Sequence, residues 1–250
     1  MTPHAVNVDP AGGRGHVTAE RSRAEEARIR AAYARRGGAW RYDWGNPAYV
    51  FAMHDLERRV LRALRRSGSW PLAGRRILDV GCGTGYWVQR LIAWGAQPDD
   101  VAGIDLLRDR VRKASRLSPS PVALSCGSAL ALPYRGATFD LVLQFMVFSS
   151  ILDPEVRASV ADEMVRVLAP GRGAILWYDF ALPNPRNRDV RPVRAGEIRR
   201  LFPGCTVELR RITLALPLTR LLAPLSWTLC ALLNLVPPLR THYLGVITKR

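Results

Sequence analysis

Residues 77 to 87 read Ile-Leu-Asp-Val-Gly-Cys-Gly-Thr-Gly-Tyr-Trp. An apolar run carries Asp79 and then meets Gly81, Gly83 and Gly85 around Cys82. A glycine-rich turn between a strand and its helix lets a ligand come close to the backbone. The dinucleotide fingerprint spaces such glycines as G-x-G-x-x-G, so that a pyrophosphate sits on the helix N-terminus. Here the pattern is G-x-G-x-G, with the third glycine one residue early. Asp79 also precedes the turn, where a carboxylate repels pyrophosphate and suits a cationic amino group. The expected ligand is therefore charged positively on one arm and carries a ribose on the other.

Such a turn must be positioned by a sheet. "RILDVG" reads as a strand and "TGYWVQRLIAWG" as the helix after it. "VAGIDL" is a second strand, followed by the helix "LRDRVRKASRL"; "PVALSCGSA" is a third. "FDLVLQF" is a fourth, followed by the helix "DPEVRASVADEMVRVLAPG". "GAILWYDF" is a fifth, with a short helix in "RAGEIRRLFPG", and "TVELRRITLAL" and "THYLGVITKR" complete the set. Strands apolar on both faces and separated by helices imply a parallel sheet covered on both sides. Ahead of them, residues 1–18 have the composition of a disordered tail. Residues 19–68 read as an N-terminal helical cap: a charged helix over 19–36 with a narrow apolar stripe, then a helix capped by Asn46 and opened by Pro47. Residues 69–250 are the α/β domain. At 250 residues with 48% hydrophobic content, the chain is long enough for one such domain and its decoration. The four cysteines lack metal-ligand spacing, so no metal site is expected.

S-adenosylmethionine meets both demands placed on the ligand, and the motifs now carry a resemblance. "ILDVGCGTGYW" resembles motif I of the class I S-adenosylmethionine-dependent methyltransferases. "VAGIDLLRDRV" resembles their second motif, which implies that Asp105 binds both ribose hydroxyls and Leu106 lies against adenine. "CGSALALPY" resembles their G-D-A-x-x-L-P-F pattern, with Ser128 where an Asp usually accepts from the adenine amino group and Ala129 beside it. The resemblance covers about residues 70 to 180 well. It implies a Rossmann-like, mostly parallel seven-stranded sheet with a reversed last strand and helices on both faces. It also implies that Asp79, Gly81, Cys82, Gly83 and Gly85 line the cofactor, with Gln144 and Phe145, just past strand four, near its methionine end.

Methyl transfer is an in-line displacement that rests mainly on alignment. A hydroxyl acceptor further needs a proton acceptor within hydrogen-bond reach. His54, on the cap helix, and Tyr178 and Asp179, at the end of strand five, are the candidate bases.

The acceptor is read from the decorations. The link "LPLTRLLAPLSWTLCALLNLVPPLR" begins and ends on the cofactor edge of the sheet and is expected to form an apolar helical insertion over 217–238. Pro224 interrupts the apolar run, so it falls short of the ~20 residues a membrane span needs. A core helix, a lid over the acceptor and an interfacial helix all remain open. The loop "ALPNPRNRDVRPVR" adds Arg186, Arg188, Arg191 and Arg194 on that edge. A small-molecule or natural-product acceptor, or a lipid-linked saccharide, fits this pairing, with peripheral membrane contact. The net charge of +16 raises RNA as an alternative substrate, or a protein. The basic residues are scattered, however, and all but Lys113 and Lys249 are Arg, which argues against a nucleic-acid track. A catalytically silent binding protein on the same fold is the third reading. The N-terminus lacks the apolar core of a signal peptide, so a cytoplasmic setting is expected.

Overall fold

The computed structural model describes residues 17–37, 39–184 and 187–249. The expected tail therefore lies outside the described residues up to position 16, as does Arg186. Thr18 already belongs to the fold: it caps the first helix, α1 (Ala19–Ala34), its Oγ1 accepting from the Arg21 backbone N–H at 3.3 Å. The second helix, α2 (Pro47–Arg66), starts as its sequence requires, with the Asn46 side chain accepting from the Ala48 N–H at 3.0 Å.

The sheet follows. Its strands are β1 (Ile77–Val80), β2 (Val101–Asp105), β3 (Ala123–Cys126), β4 (Leu141–Phe145), β5 (Ala174–Phe180), β6 (Cys205–Leu214) and β7 (Arg240–Lys249). Their spatial order is β3-β2-β1-β4-β5-β7-β6. The first five run parallel, whereas β7 is antiparallel to both β5 and β6. This is the Rossmann-like arrangement with a reversed last strand. The expected third strand stops early, at Cys126; the Gly127 N–H still bonds the Asp105 carbonyl at 3.0 Å, and the chain turns at Ala129–Leu130.

The helices between strands are α3 (Tyr86–Ala93), α4 (Arg108–Leu117), α5 (Pro154–Val167) and α6 (Ala195–Leu201). Side chains alternate along a strand, so each strand feeds two cores. On one face, Leu78, Val142, Ile175 and Trp177 pack with Val160, Met164 and Ile198 of α5 and α6. On the other, Ile77, Leu143, Leu176 and Tyr178 pack with Val60 and Leu64 of α2 and with Val88 and Leu91 of α3. The cap helix α2 is thus part of the main fold.

The apolar link between β6 and β7 is two short helices instead of one: α7 (Leu216–Leu222) and α8 (Trp227–Leu233), with a 3-10 turn at Pro237–Leu239. Pro224 removes a backbone donor between them, and Ser226 starts α8 afresh by accepting from the Leu229 N–H at 3.2 Å. Inward-facing Ala223 and Cys230 join Ala48, Phe51 and Leu214 in a third, separate cluster. Among the described residues, no helix is long and apolar enough to cross a membrane.

Candidate active site

The strand order reverses between β1 and β4, since β2 continues to one side of β1 and β5 to the far side of β4. In open parallel sheets a ligand crevice lies at such a switch point, outside the carboxyl ends of the strands. The glycine loop occupies this place. Gly81 has φ 75°, and a Cβ there would overlap Cγ2 of Val147, in the loop after β4. Gly85 has φ 82°, and a Cβ there would press on Ala114 of α4 at 3.1 Å. These two glycines are needed for the protein's own packing. Around Gly83 the nearest side-chain atom is the end of Arg110, which leaves its backbone free to approach a ligand.

Two acids stand beneath this loop. Asp105 ends β2, and its carboxylate accepts from the Leu107 N–H at 2.8 Å and from the Gly83 N–H at 2.9 Å. It thereby ties the second loop to the first. Asp79 is 2% exposed, and its Oδ2 has no partner. Burial, followed by the nearby charge of Asp105, pushes its carboxyl up to about 7. Cys82 is buried beside both acids, which together with desolvation keeps it a neutral thiol. Gln144 lies within β4, not past it, in full burial: its Oε1 accepts from the Val147 N–H at 3.2 Å, while its Nε2 is unpaired. An unpaired buried acceptor and an unpaired buried donor thus flank the switch point. Such groups are costly unless a partner arrives. The register pairs Asp79 with Leu143 and Val80 with Gln144, so the two side chains leave opposite faces of the sheet; an ammonium group would satisfy the first and a carboxylate the second.

The remaining cofactor-side residues line the same edge. Leu106 is half-buried, and its carbonyl accepts from Arg30 Nη1 at 2.6 Å. Ser128 Oγ accepts from the Leu130 N–H at 3.1 Å and so shapes the turn that carries half-buried Ala129. Phe145 packs edge-to-face on Trp87 at 4.5 Å between ring centroids.

Helix α1 roofs the crevice, a role its sequence does not announce. Its narrow apolar stripe contributes Ile29, but the contact is mainly polar. Buried Glu25 accepts from the Leu152 N–H at 2.5 Å and pairs with Arg28 at 2.8 Å. Arg28 also donates to the Ser150 carbonyl, and Arg21 pairs with Asp153. With Arg30 on Leu106, the helix spans from the loop after β2 to the loop after β4. Met146, in that second loop, is held at φ 65° while its N–H bonds the Tyr178 carbonyl at 2.8 Å. A non-glycine residue in this region costs about 1–3 kcal/mol and marks a constrained site.

The candidate bases are not brought together. His54 lies exposed on α2, between Trp44 at 6.3 Å and Trp227 at 6.0 Å. Tyr178 and Asp179 are consecutive on β5 and so face opposite sides of the sheet. Asp179 is fully buried, accepts from the Ser149 N–H at 3.0 Å and the Phe180 N–H at 2.8 Å, and is pushed up to about 6 by that burial. Its carboxylate pins the loop after β4. The Tyr178 hydroxyl bonds Thr213 Oγ1 at 3.0 Å, and its ring stacks on His242 at 4.9 Å. Thr213 has φ 65° and lies opposite Thr241 at a break in the β6–β7 pairing, the register being the same on both sides. Its carbonyl accepts from Thr241 Oγ1 at 3.3 Å. The Thr241 hydroxyl also lies 2.9 Å from Nδ1 of His242. Burial pushes this imidazole down to about 3, so it is neutral. His242 and Thr213 are the residues that sequence reasoning missed; a positive φ at a threonine carries no signal in "RITLAL".

The rings form one run. It goes from His242 to Tyr178, Phe145, Trp87, Tyr86, Trp44, His54 and Trp227, with successive centroids 4.5–6.3 Å apart. It connects the buried end of the sheet with the surface of α8.

Comparison with known proteins agrees with this geometry. Residues 77–171 match the family model described as "Methyltransferase domain". Norajmaline N-methyltransferase of Rauvolfia serpentina is 30% identical over 162 residues, 60% of this chain and 53% of the relative. Demethylmenaquinone methyltransferase of Shouchella clausii is 34% identical over 150 residues, 54% of this chain and 60% of the relative. The matched stretches thus span little more than half the length of these curated relatives. Among solved structures, an S-adenosylmethionine-dependent methyltransferase from Archaeoglobus fulgidus superposes with a TM-score of 0.55 at 17% identity, covering 83% of this chain and all of that one. At that identity the likeness is one of fold.

Proposed function

We infer that this chain carries a class I methyltransferase domain whose cofactor is S-adenosylmethionine, a reading supported by the match of residues 77–171 to the methyltransferase-domain model. On this reading it transfers a methyl group to a small, apolar acceptor such as a natural-product intermediate, a quinone or a lipid-linked saccharide. The observation that carries the cofactor assignment is the crevice itself. Its open Gly83 backbone, its Asp105 carboxylate and the unpaired atoms of Asp79 and Gln144 suit a ribose joined to an amino acid.

When bound, S-adenosylmethionine supplies a methyl group made electrophilic by its sulfonium. The chain's residues supply position. Asp105 would take the ribose hydroxyls on the lone pairs its two backbone bonds leave free. Asp79 would hold an ammonium group and Gln144 Nε2 a carboxylate. Helix α1 closes over this end and excludes water. Correct alignment of two reactants is worth roughly 7–11 kcal/mol of a barrier. At the acceptor end the aromatic run offers flat apolar rings, and neutral His242 stacks on Tyr178. The named relatives, which act on an alkaloid and on a quinone, support an acceptor of this kind.

Calorimetry tests the reading. S-adenosylmethionine and S-adenosylhomocysteine should bind with affinity in the micromolar range and NAD should not. Asp105→Asn should weaken both by at least about tenfold, the worth of one charge-assisted bond. Preferential binding of NAD would overturn the assignment.

A further inference from the structure

Helices α7 and α8 are apolar on both sides, which an ordinary surface helix is not. Their inner side fills the cluster of Phe51, Leu214 and Cys230. Their outer side still exposes Leu221, Leu225, Leu232 and Leu235 to between 57% and 79%, with Trp227 and Val236 beside them. Exposed apolar residues this concentrated mark an interaction surface. Between Ala215 and Leu239 the only charged residue is Arg220. The rim, by contrast, is basic. Arg58 and Arg59 both pair with Asp55 at 2.7 Å, and Asp55 also accepts from Asn234 at the end of α8. Arg240 donates to the Asn234 carbonyl at 2.7 Å and to the Leu235 carbonyl at 3.1 Å. One acid thus meets three arginines around the foot of α8, leaving net positive charge.

We propose that α7, α8 and the turn after them are a docking surface for an anionic lipid bilayer. Short apolar helices edged by arginines lie in the plane of a membrane interface, with leucines in the acyl boundary and arginines among the phosphates. Trp227 suits that depth, being an apolar ring with one polar edge. Neither helix is long enough to span, so contact is peripheral. The surface also continues inward: Trp227 meets His54 at 6.0 Å and Phe51 at 5.9 Å, and from there the aromatic run leads to the crevice. The surface thus adjoins the aromatic run, so a bilayer-dissolved acceptor would arrive at its outer end.

The test is sedimentation of the full chain with phosphatidylcholine vesicles, with and without phosphatidylglycerol. No cofactor is needed, so failure here is distinct from failure of the cofactor assignment. The chain should pellet with the anionic vesicles and lose affinity as salt is raised. The Leu221→Ser, Leu225→Ser, Leu235→Ser triple variant should bind at least about tenfold more weakly. It should keep its circular dichroism and its affinity for S-adenosylhomocysteine, because the replaced side chains point outward. Wild-type chain that stays in solution with anionic vesicles overturns the proposal, as does a folded variant that pellets equally well. A dimer in velocity sedimentation that the variant loses, without vesicle binding, overturns it too and gives the surface to a second copy.

Discussion

Asp79 carries both the electrostatic cost of the site and its response to pH. The carboxyl ionises near 3.8 when solvated and about 7 in the fold. Between these values the folded chain holds a proton that the unfolded chain has released. Stability therefore falls as pH rises from about 4 to about 7, and levels off above that. Asp179 adds a decline of the same sign up to about 6. Thermal melts of Asp79→Asn should show a shallower decline and a higher Tm than the parent above neutrality. Cofactor affinity should run the opposite way, because only the ionised form attracts an ammonium group. It should rise between about pH 6 and 8 in the parent and stay level in Asp79→Asn. An unchanged slope in calorimetry would place that ammonium elsewhere. Asp79 stands out in the sequence because it sits two residues before the glycines, and Asp105 because it ends an apolar strand that resembles a family motif. Tyr178 and Asp179 could not be sorted, since neighbours on a strand face opposite ways and only the fold shows which side the crevice takes.

At the scale of elements, the strands announced themselves as uninterrupted apolar runs, and Pro224 marked the break between α7 and α8. The docking of α1 left no such trace. Glu25 looks like one more charge on a charged helix, yet its backbone partner Leu152 lies 127 residues away. The helix is held by ionic and backbone contacts, each worth roughly 1.5–3 kcal/mol when one group is charged. Glu25→Ala removes the central one. This variant should release α1, which is rich in arginine, to trypsin about tenfold faster than the parent at equal global stability. S-adenosylhomocysteine should also dissociate faster in stopped-flow measurements. Equal cleavage rates would show that Arg21 and Arg30 hold the roof without it.

Over the whole molecule, the two large cores lie on the two faces of the sheet, and the third cluster stands apart from them under α7 and α8. The reversed β7 produces this separation. Because β6 and β7 pair antiparallel along their length, a tight turn would suffice to join them. Everything from Leu216 to Pro238 is therefore surplus to the sheet. Closing a longer loop costs only about 0.6 kcal/mol per doubling of its length. Exchanging residues 216–238 for a short Gly/Ser turn should cost the far-ultraviolet spectrum no more than the helical signal of α7 and α8, leave cofactor binding intact and abolish turnover of apolar acceptors. A chain that no longer folds would count the segment among its foundations. On the proposed reading, the segment is a cartridge clipped into the β6–β7 hairpin and seated on Ala48 and Phe51 of α2. A new specificity could be grafted there without rebuilding the engine beneath it.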